Sequence, residues 1–315
     1  MAFVERALSF IFTRADGTTF PNGAKSITLP PGLMAQVRIT NAGLPGMGAT
    51  QTAIYGLTPD VMNQLNTMGI RVTLQPLNYV KIIAMDANGA NTSTAFFGGI
   101  RFVAPDYNRQ PDPCLSFLAL AGIETTGTQP IAQGYDGGVD VVQVLQDICT
   151  YIKNATGQTY ALETNGVSGV SITHYSWGDP RSVIAEIRSQ IIGQGYDIEF
   201  DIQSQTIAIW NTKNGRTSAS GIPLVSAGDA NAPGNLIGYP TYTEFGIDFR
   251  CVYTPTIRKG GYVQVKSSLP TATALWYVNG VAHALDTQMA GGKWETTIQA
   301  SRVGAPQPVI VPRPA

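Results

Sequence analysis

The stretch 234-GNLIGYPTYTEFGIDFRCVYTPTIRKGGYVQVKSS-268 decides how the chain folds. Phe245, Ile247, Phe249, Cys251 and Tyr253 alternate with Asp248, Arg250 and Val252, the period of two that a strand with one buried face requires. Val263 and Val265 resume the alternation after the turn at Lys259-Gly260-Gly261. No cluster of acids, bases or metal ligands interrupts it. Towards the C-terminus, Trp276 and Val278, then Trp294, Thr296 and Ile298, continue the pattern. Residues 213–306 therefore read as one β domain, followed by a Pro-rich tail at 307–315.

The N-terminal segment, 1–105, reads the same way. Leu8, Phe10 and Phe12 alternate, as do Ala35, Val37 and Ile39, between turns rich in Gly, Pro and Asn. One helix interrupts it at 58–66, with Thr58 as N-cap, Pro59 at the first position, and Val61, Met62 and Leu65 on one face. Between the two β segments, at 106–212, the period changes to that of helices. Val141, Val142, Leu145, Ile148, Cys149 and Ile152 form one stripe; Asp179 and Pro180 open a second helix bearing Val183, Ile184, Ile187 and Ile191. Two short strands follow each helix, so the segment reads as two αββ repeats, about 139–175 and 179–210. The expected fold class is mainly β with an α+β insert: two β domains flanking a duplicated αββ domain.

Composition narrows the function. The charged share is 13%, about half that of an ordinary globular domain. A net charge of −1 supplies no field for nucleic acid or an anionic membrane. A surface this poor in charge suits coverage by partners. No stretch reaches the ~20 apolar residues that span a bilayer, and the run from Ala7 to Phe12 is too short for a signal-peptide core, so a soluble, cytoplasmically synthesised protein is expected. Cys114, Cys149 and Cys251 lie far apart without ligand spacing and read as reduced thiols.

No group of residues in the sequence forms a recognisable chemical site. His174 and His283 lack any second ligand at metal spacing. Residues 43–50 are glycine-rich but have no phosphate-loop lysine, and 166–169 falls one residue short of a nucleophile elbow. Asp197, Glu199 and Asp201 share one face of a predicted strand; they are the candidates for a wall-degrading enzyme, against the plainer reading of a solvated strand face. Tyr175, Trp177 and Tyr196 are the candidates for a glycan-binding module. No catalytic residue, metal or cofactor is expected.

What remains distinctive is the succession 51-QTAIYGLTPDVMNQLN-66, 98-GGIRFVAPDYN-108, 234–268 and 289-MAGGKWETTIQA-300. In this order the chain resembles the baseplate hub proteins of long-tailed bacteriophages, and the hub portion of type VI secretion spikes, over about residues 7–302. The resemblance implies two tail-tube-like β-barrel domains flanking the insert, and a homotrimer whose six barrels form a ring. That ring joins the sixfold tail tube to a threefold spike in the virion, after assembly in the host cytoplasm. Implied partners are the tail tube protein above, a separate spike protein below, and the tape measure or other baseplate proteins. No membrane and no specific nucleic acid are implied, DNA only passing through the lumen. Because a ring continues strands from one barrel to the next, Phe245, Ile247, Phe249, Tyr253, Val263 and Val265 are the expected subunit-interface residues.

Overall fold

A computed structural model describes residues 5–303 except 16, 42, 44–47, 70–76, 87, 109–111, 124–132, 176–179, 217–220 and 230–232. The C-terminal tail and Asp179 thus lie outside the described residues. The fold is mainly β, as the alternating segments require. The first β unit contains β1 (Arg6–Thr13), β2 (Ser26–Leu29), β3 (Ala35–Asn41), β4 (Gly48–Tyr55), β5 (Tyr79–Asp86), β6 (Ser93–Asp106) and β7 (Cys114–Leu120). Its helix α1 (Pro59–Asn66) starts where Thr58 accepts the Val61 N–H, and it packs Met62 and Leu65 inward. The second unit contains β13 (Leu224–Ser226), β14 (Leu236–Thr243), β15 (Gly246–Val252), β16 (Tyr262–Lys266), β17 (Ala274–Thr287) and β18 (Trp294–Arg302). All these strands belong to one hydrogen-bonded system, ordered β14-β15-β18-β17-β3-β4-β7-β6-β5-β1-β2, with β16 also on β17 and β13 on β16.

The two units repeat one frame. In the first the order is β3-β4-β7-β6-β5, and in the second it is β14-β15-β18-β17-β16, with the same chain order and every neighbour antiparallel. β6 and β17 are both 14 residues long. β6 has a register shift against β5, at Ala95; against β7 and β18 each is irregular at one place, between Ile100 and Phe102 and between Val278 and Gly280. Matching these bulges makes Gly99, the partner of Tyr79, equivalent to Tyr277, the partner of Tyr262. The burial then agrees: Val80 and Ile82 of the first unit, like Val263 and Val265 of the second, point into their cores.

The insert departs from the sequence reading in two ways. Its expected start at 106 does not follow the sheet, because β7 pairs with β4 on one side and β6 on the other. Burial of Leu115, Phe117 and Ala119 in the first core fixes β7 there. The helices α2 (Val141–Thr156) and α3 (Pro180–Gly193) are each followed by two strands, but the pairing is not duplicated. β9 (Ala161–Asn165) pairs parallel with β12 (Thr206–Asn211), β10 (Ser171–Tyr175) pairs with β8 (Gln133–Asp140), and only β11 (Ile198–Gln203) and β12 form a hairpin. Periodicity finds strands; it does not choose their partners. Both helices bury their apolar stripes, with Val144, Leu145, Ile148 and Ile187 in a core that also takes Leu77 and Ile123 and borders Leu120 of β7.

Candidate assembly interface

Among the described residues, two seams bear on how the β units and the insert are joined. The first joins the β units edge to edge. β17 gives residues 274–277 to β16 and residues 281–287 to β3, running from Val281 opposite Asn41 to Thr287 opposite Ala35. Arg38 clamps this seam, donating two bonds to the buried carboxylate of Asp286 at 2.5 and 3.0 Å. Leu285 enters the first unit's core, and Tyr253 and Trp294 pack against it.

The second seam fixes the insert to the second unit through buried polar chemistry. Arg216 donates through Nε to Glu163 (2.7 Å) and through Nη1 to Asp201 (2.9 Å), while Arg258 donates to the other oxygen of Glu163 (2.7 Å). Trp210 donates to the Tyr277 hydroxyl at 3.0 Å. A side chain at Gly260 would meet that indole at 2.2 Å, so only glycine admits it. Beside this network lies a cavity of about 30 Å³, room for a water, lined by Thr94, Gln203, Arg216, Arg258, Tyr253 and His283. The Oε1 of Gln203 is buried and has no hydrogen-bond partner.

These seams absorb the groups that sequence nominated for chemistry. Asp201 is 2% exposed; burial pushes its carboxyl up, and Arg216 and Lys259 pull it down. Glu199 meets Arg188 at 3.4 Å, and Asp197 is exposed, so the three carboxylates do not converge on one cleft. The shared strand face fails because β11 is buried on both sides over Phe200, Asp201 and Ile202. His283 is buried and exchanges a 2.9 Å hydrogen bond with Thr296, and burial lowers its pKa to about 4. It is a core histidine. His174 lies in β10, but its side chain and that of Tyr175 are outside the described residues, as is Trp177; Tyr196 is exposed. Burial raises the thiols of Cys149 and Cys251 to about 11, which keeps them protonated and unreactive. Among the described residues no group of three or more His, Cys, Asp or Glu could hold a metal ion. No helix among them is long and apolar enough to cross a membrane.

Most of the expected interface residues lie inside the chain's own cores. Ile247, Phe249, Val263 and Val265 are buried in the second unit's own core, so their side chains cannot meet a neighbour. Tyr253 faces inward as well, with its hydroxyl 3.3 Å from Ser93 and its ring against His283 and Trp294. Of the six only Phe245 is free, because it sits in the tight turn after Thr243 and not in the strand. The exposed aromatics lie instead along β14, an edge among the described strands: Tyr239, Tyr242 and, at the turn, Phe245. A shallow groove of about 260 Å³ lies on the outer face of the first unit, between Arg38, Gln51, Leu118 and the exposed Phe102.

No protein-family model and no curated protein matches the sequence. Solved structures do. A tail protein from Neisseria meningitidis MC58 superposes with a TM-score of 0.55 at 9% identity, covering 95% of this chain and 97% of that one. The 43 kDa tail protein of prophage MuSo2 from Shewanella oneidensis gives 0.52 at 12% identity, covering 96% and 97%. A type VI secretion component of E. coli, itself structurally similar to the T4 bacteriophage tail proteins gp27 and gp5, gives 0.50 at 11% identity, covering 91% and 79%. The chain has the fold shared by these phage tail and type VI secretion proteins.

Proposed function

We propose that this protein is a structural component of a phage or prophage-derived tail: the hub that joins the tail tube to the spike. One observation carries the reading. A single chain holds two copies of the same five-strand frame, joined edge to edge by β3 and β17. Three such chains present six similar units to a sixfold tube above and a threefold face to a spike below, which is how one chain adapts the two symmetries. The insert takes no strand position in the two-unit sheet, so it lies outside the ring wall, at the periphery or on the spike side. The virion baseplate is the location this implies, with the tube protein and a separate spike protein as neighbours.

The role is non-enzymatic. Its support is the engagement of Asp201 and Glu199 in ion pairs and of His283 in the core. Light-scattering mass on purified protein, followed by cryo-electron microscopy with the tube protein, tests the proposal. A threefold ring is the expected result. A monomer that joins neither tube nor spike protein overturns it.

A further inference from the structure

The two units close one edge in different ways. β17 gives residues 274–277 to β16 and residues 281–287 to β3. Its counterpart β6 gives its first half to β5, and among the described strands none pairs with residues 101–106 on that side. The matched bulges make Val103 the equivalent of Val281, which faces Asn41 of β3. At Val103 another element takes that place. The 3-10 turn Thr67–Gly69 follows α1, and both pack on β6. A Cβ built on Gly69 would lie 3.1 Å from the Val103 N and 3.4 Å from its O, so the backbone of the turn lies against that edge. Met62, Leu65 and Met68 anchor it in the core that also holds Val103. The difference arises in one connection. Residues 56–78 carry α1 and the turn between β4 and β5, whereas residues 253–261 link β15 to β16 without a helix.

We propose that α1 and the turn after it are an edge cap: they hold, in the first unit, the place that β3 holds in the second, and so end the edge-to-edge joining of units at two. An uncapped β6 would accept β14 of another copy, because β14 is the counterpart of β3 and pairs only with β15. That contact would join unlike edges head to tail, and head-to-tail contacts that do not close grow into filaments. Pro105 adds a second block. It stands where His283 faces Ile39, and it has no N–H to give to an arriving strand. Glycine at 69 is what lets the turn lie this close, since a side chain there would press on the Val103 backbone and on its Cγ1 at 3.1 Å.

Two other edges follow the same rule. In β13 the Leu224 carbonyl and the Ser226 N–H face away from β16, which bonds the Pro223 carbonyl and the Ala227 N–H. The side-chain amide of Asn235 donates to the first at 3.2 Å and accepts from the second at 2.9 Å, as a neighbouring strand would. β14 is interrupted between Ile237 and Thr241, and Pro240 lacks an N–H. In its regular part the two-residue turn makes Thr243 and Gly246 a hydrogen-bonded pair, so the N–H and C=O of Tyr242 point outward. With β6 capped, copies meet through side chains such as the exposed Tyr239 and Phe245, and not by adding a strand to that edge. Strand continuation across β6 and β17 is then confined to the internal seam with β3.

The test uses the full chain. In wild-type protein the Val103 amide should exchange with deuterium as slowly as the core strands; exchange as fast as at Tyr242 overturns the cap. The double variant Gly69→Val/Pro105→Val lifts the turn and restores the missing N–H. Its Val103 amide should exchange at least about tenfold faster, and its light-scattering mass should rise with concentration. Adding Tyr242→Pro should return the mass to the wild-type value, since it removes the outward N–H of β14. A double variant that keeps its circular dichroism, exchanges faster at Val103 and yet holds the wild-type mass at every concentration overturns the proposal. A raised mass that persists with Tyr242→Pro overturns β14 as the strand held off. Where the double variant does not fold, the wild-type protein decides. Fast exchange at Val103, or a strand of another copy on β6 in an assembled particle, overturns the cap; slow exchange with that edge unpaired upholds it. A wild-type protein that stays monomeric with tube and spike proteins present overturns the hub reading and leaves the cap standing.

Discussion

The two β units share a strand frame but not a core chemistry. The first is filled with aromatics on apolar neighbours: Phe10, Phe12, Phe96 and Phe117 cluster there, with Phe12 and Phe117 edge-on at 5.4 Å. At equivalent places the polar positions differ: the first buries Thr50 and Thr52 where the second has Ile247 and Phe249, and the second buries polar groups elsewhere. Leu115 of β7 corresponds to Thr296 of β18, and Cys114 to Glu295, all of them buried. Thr296 is satisfied on both sides, by His283 and by the N–H of Thr254. A frame of alternating strands fixes which positions face inward. It does not fix what fills them, provided every buried polar atom finds a partner. The second unit should therefore be the pH-sensitive half of the molecule, and the first the indifferent half.

The largest effect tests the shared frame itself. Phe249 and Thr52 are equivalent and both buried. Phe249→Asp should unfold the second unit, since it places an unpaired carboxylate in an apolar core; Phe249→Ala should cost about 3–5 kcal/mol against about 1 kcal/mol for Thr52→Ala. Urea midpoints of the two alanine variants measure the difference, and equal losses would overturn the reading that the frame sets which positions face inward but not what fills them. Next, Arg216→Ala leaves Asp201 buried without its partner and should cost about 3–5 kcal/mol. Limited proteolysis should then release the insert before either β unit.

The pH prediction separates the units directly. His283 has its pKa lowered to about 4 by burial, so the folded protein holds it neutral while the unfolded chain takes up a proton below about pH 6.5. Its contribution is fully present above that pH and is lost as pH falls towards 4, by about 3 kcal/mol in all. Denaturation at pH 7 and pH 4.5 should show this loss, and His283→Gln should flatten it. Smaller is the clamp between the units. Arg38→Ala should cost about 2 kcal/mol, because Asp286 is buried and keeps only the N–H of Lys293. Smallest is Glu199→Gln, which breaks a partly exposed 3.4 Å pair and should change stability by less than about 0.5 kcal/mol. Particles carrying it should assemble and infect normally; assembly without infection would restore chemistry to that carboxylate.

The sequence by itself determined the elements. Alternation from Ile247 to Cys251, the Thr58 cap and the apolar stripes of α2 and α3 depend on neighbours within a few residues, and all three stand in the structure. The tertiary structure alone decided which edges meet. Arg38 and Asp286 lie 248 positions apart, and nothing local at either predicts the other. The same limit hid the fate of Asp201, whose strand pattern reads as solvated until Arg216 is folded over it. It also hid the place of β7, whose alternation fits any sheet and whose partners β4 and β6 are set by the first core. Periodicity is a property of one strand, whereas an edge is a property of two, and the backbone N–H and C=O groups that join them carry no sequence signature of their own.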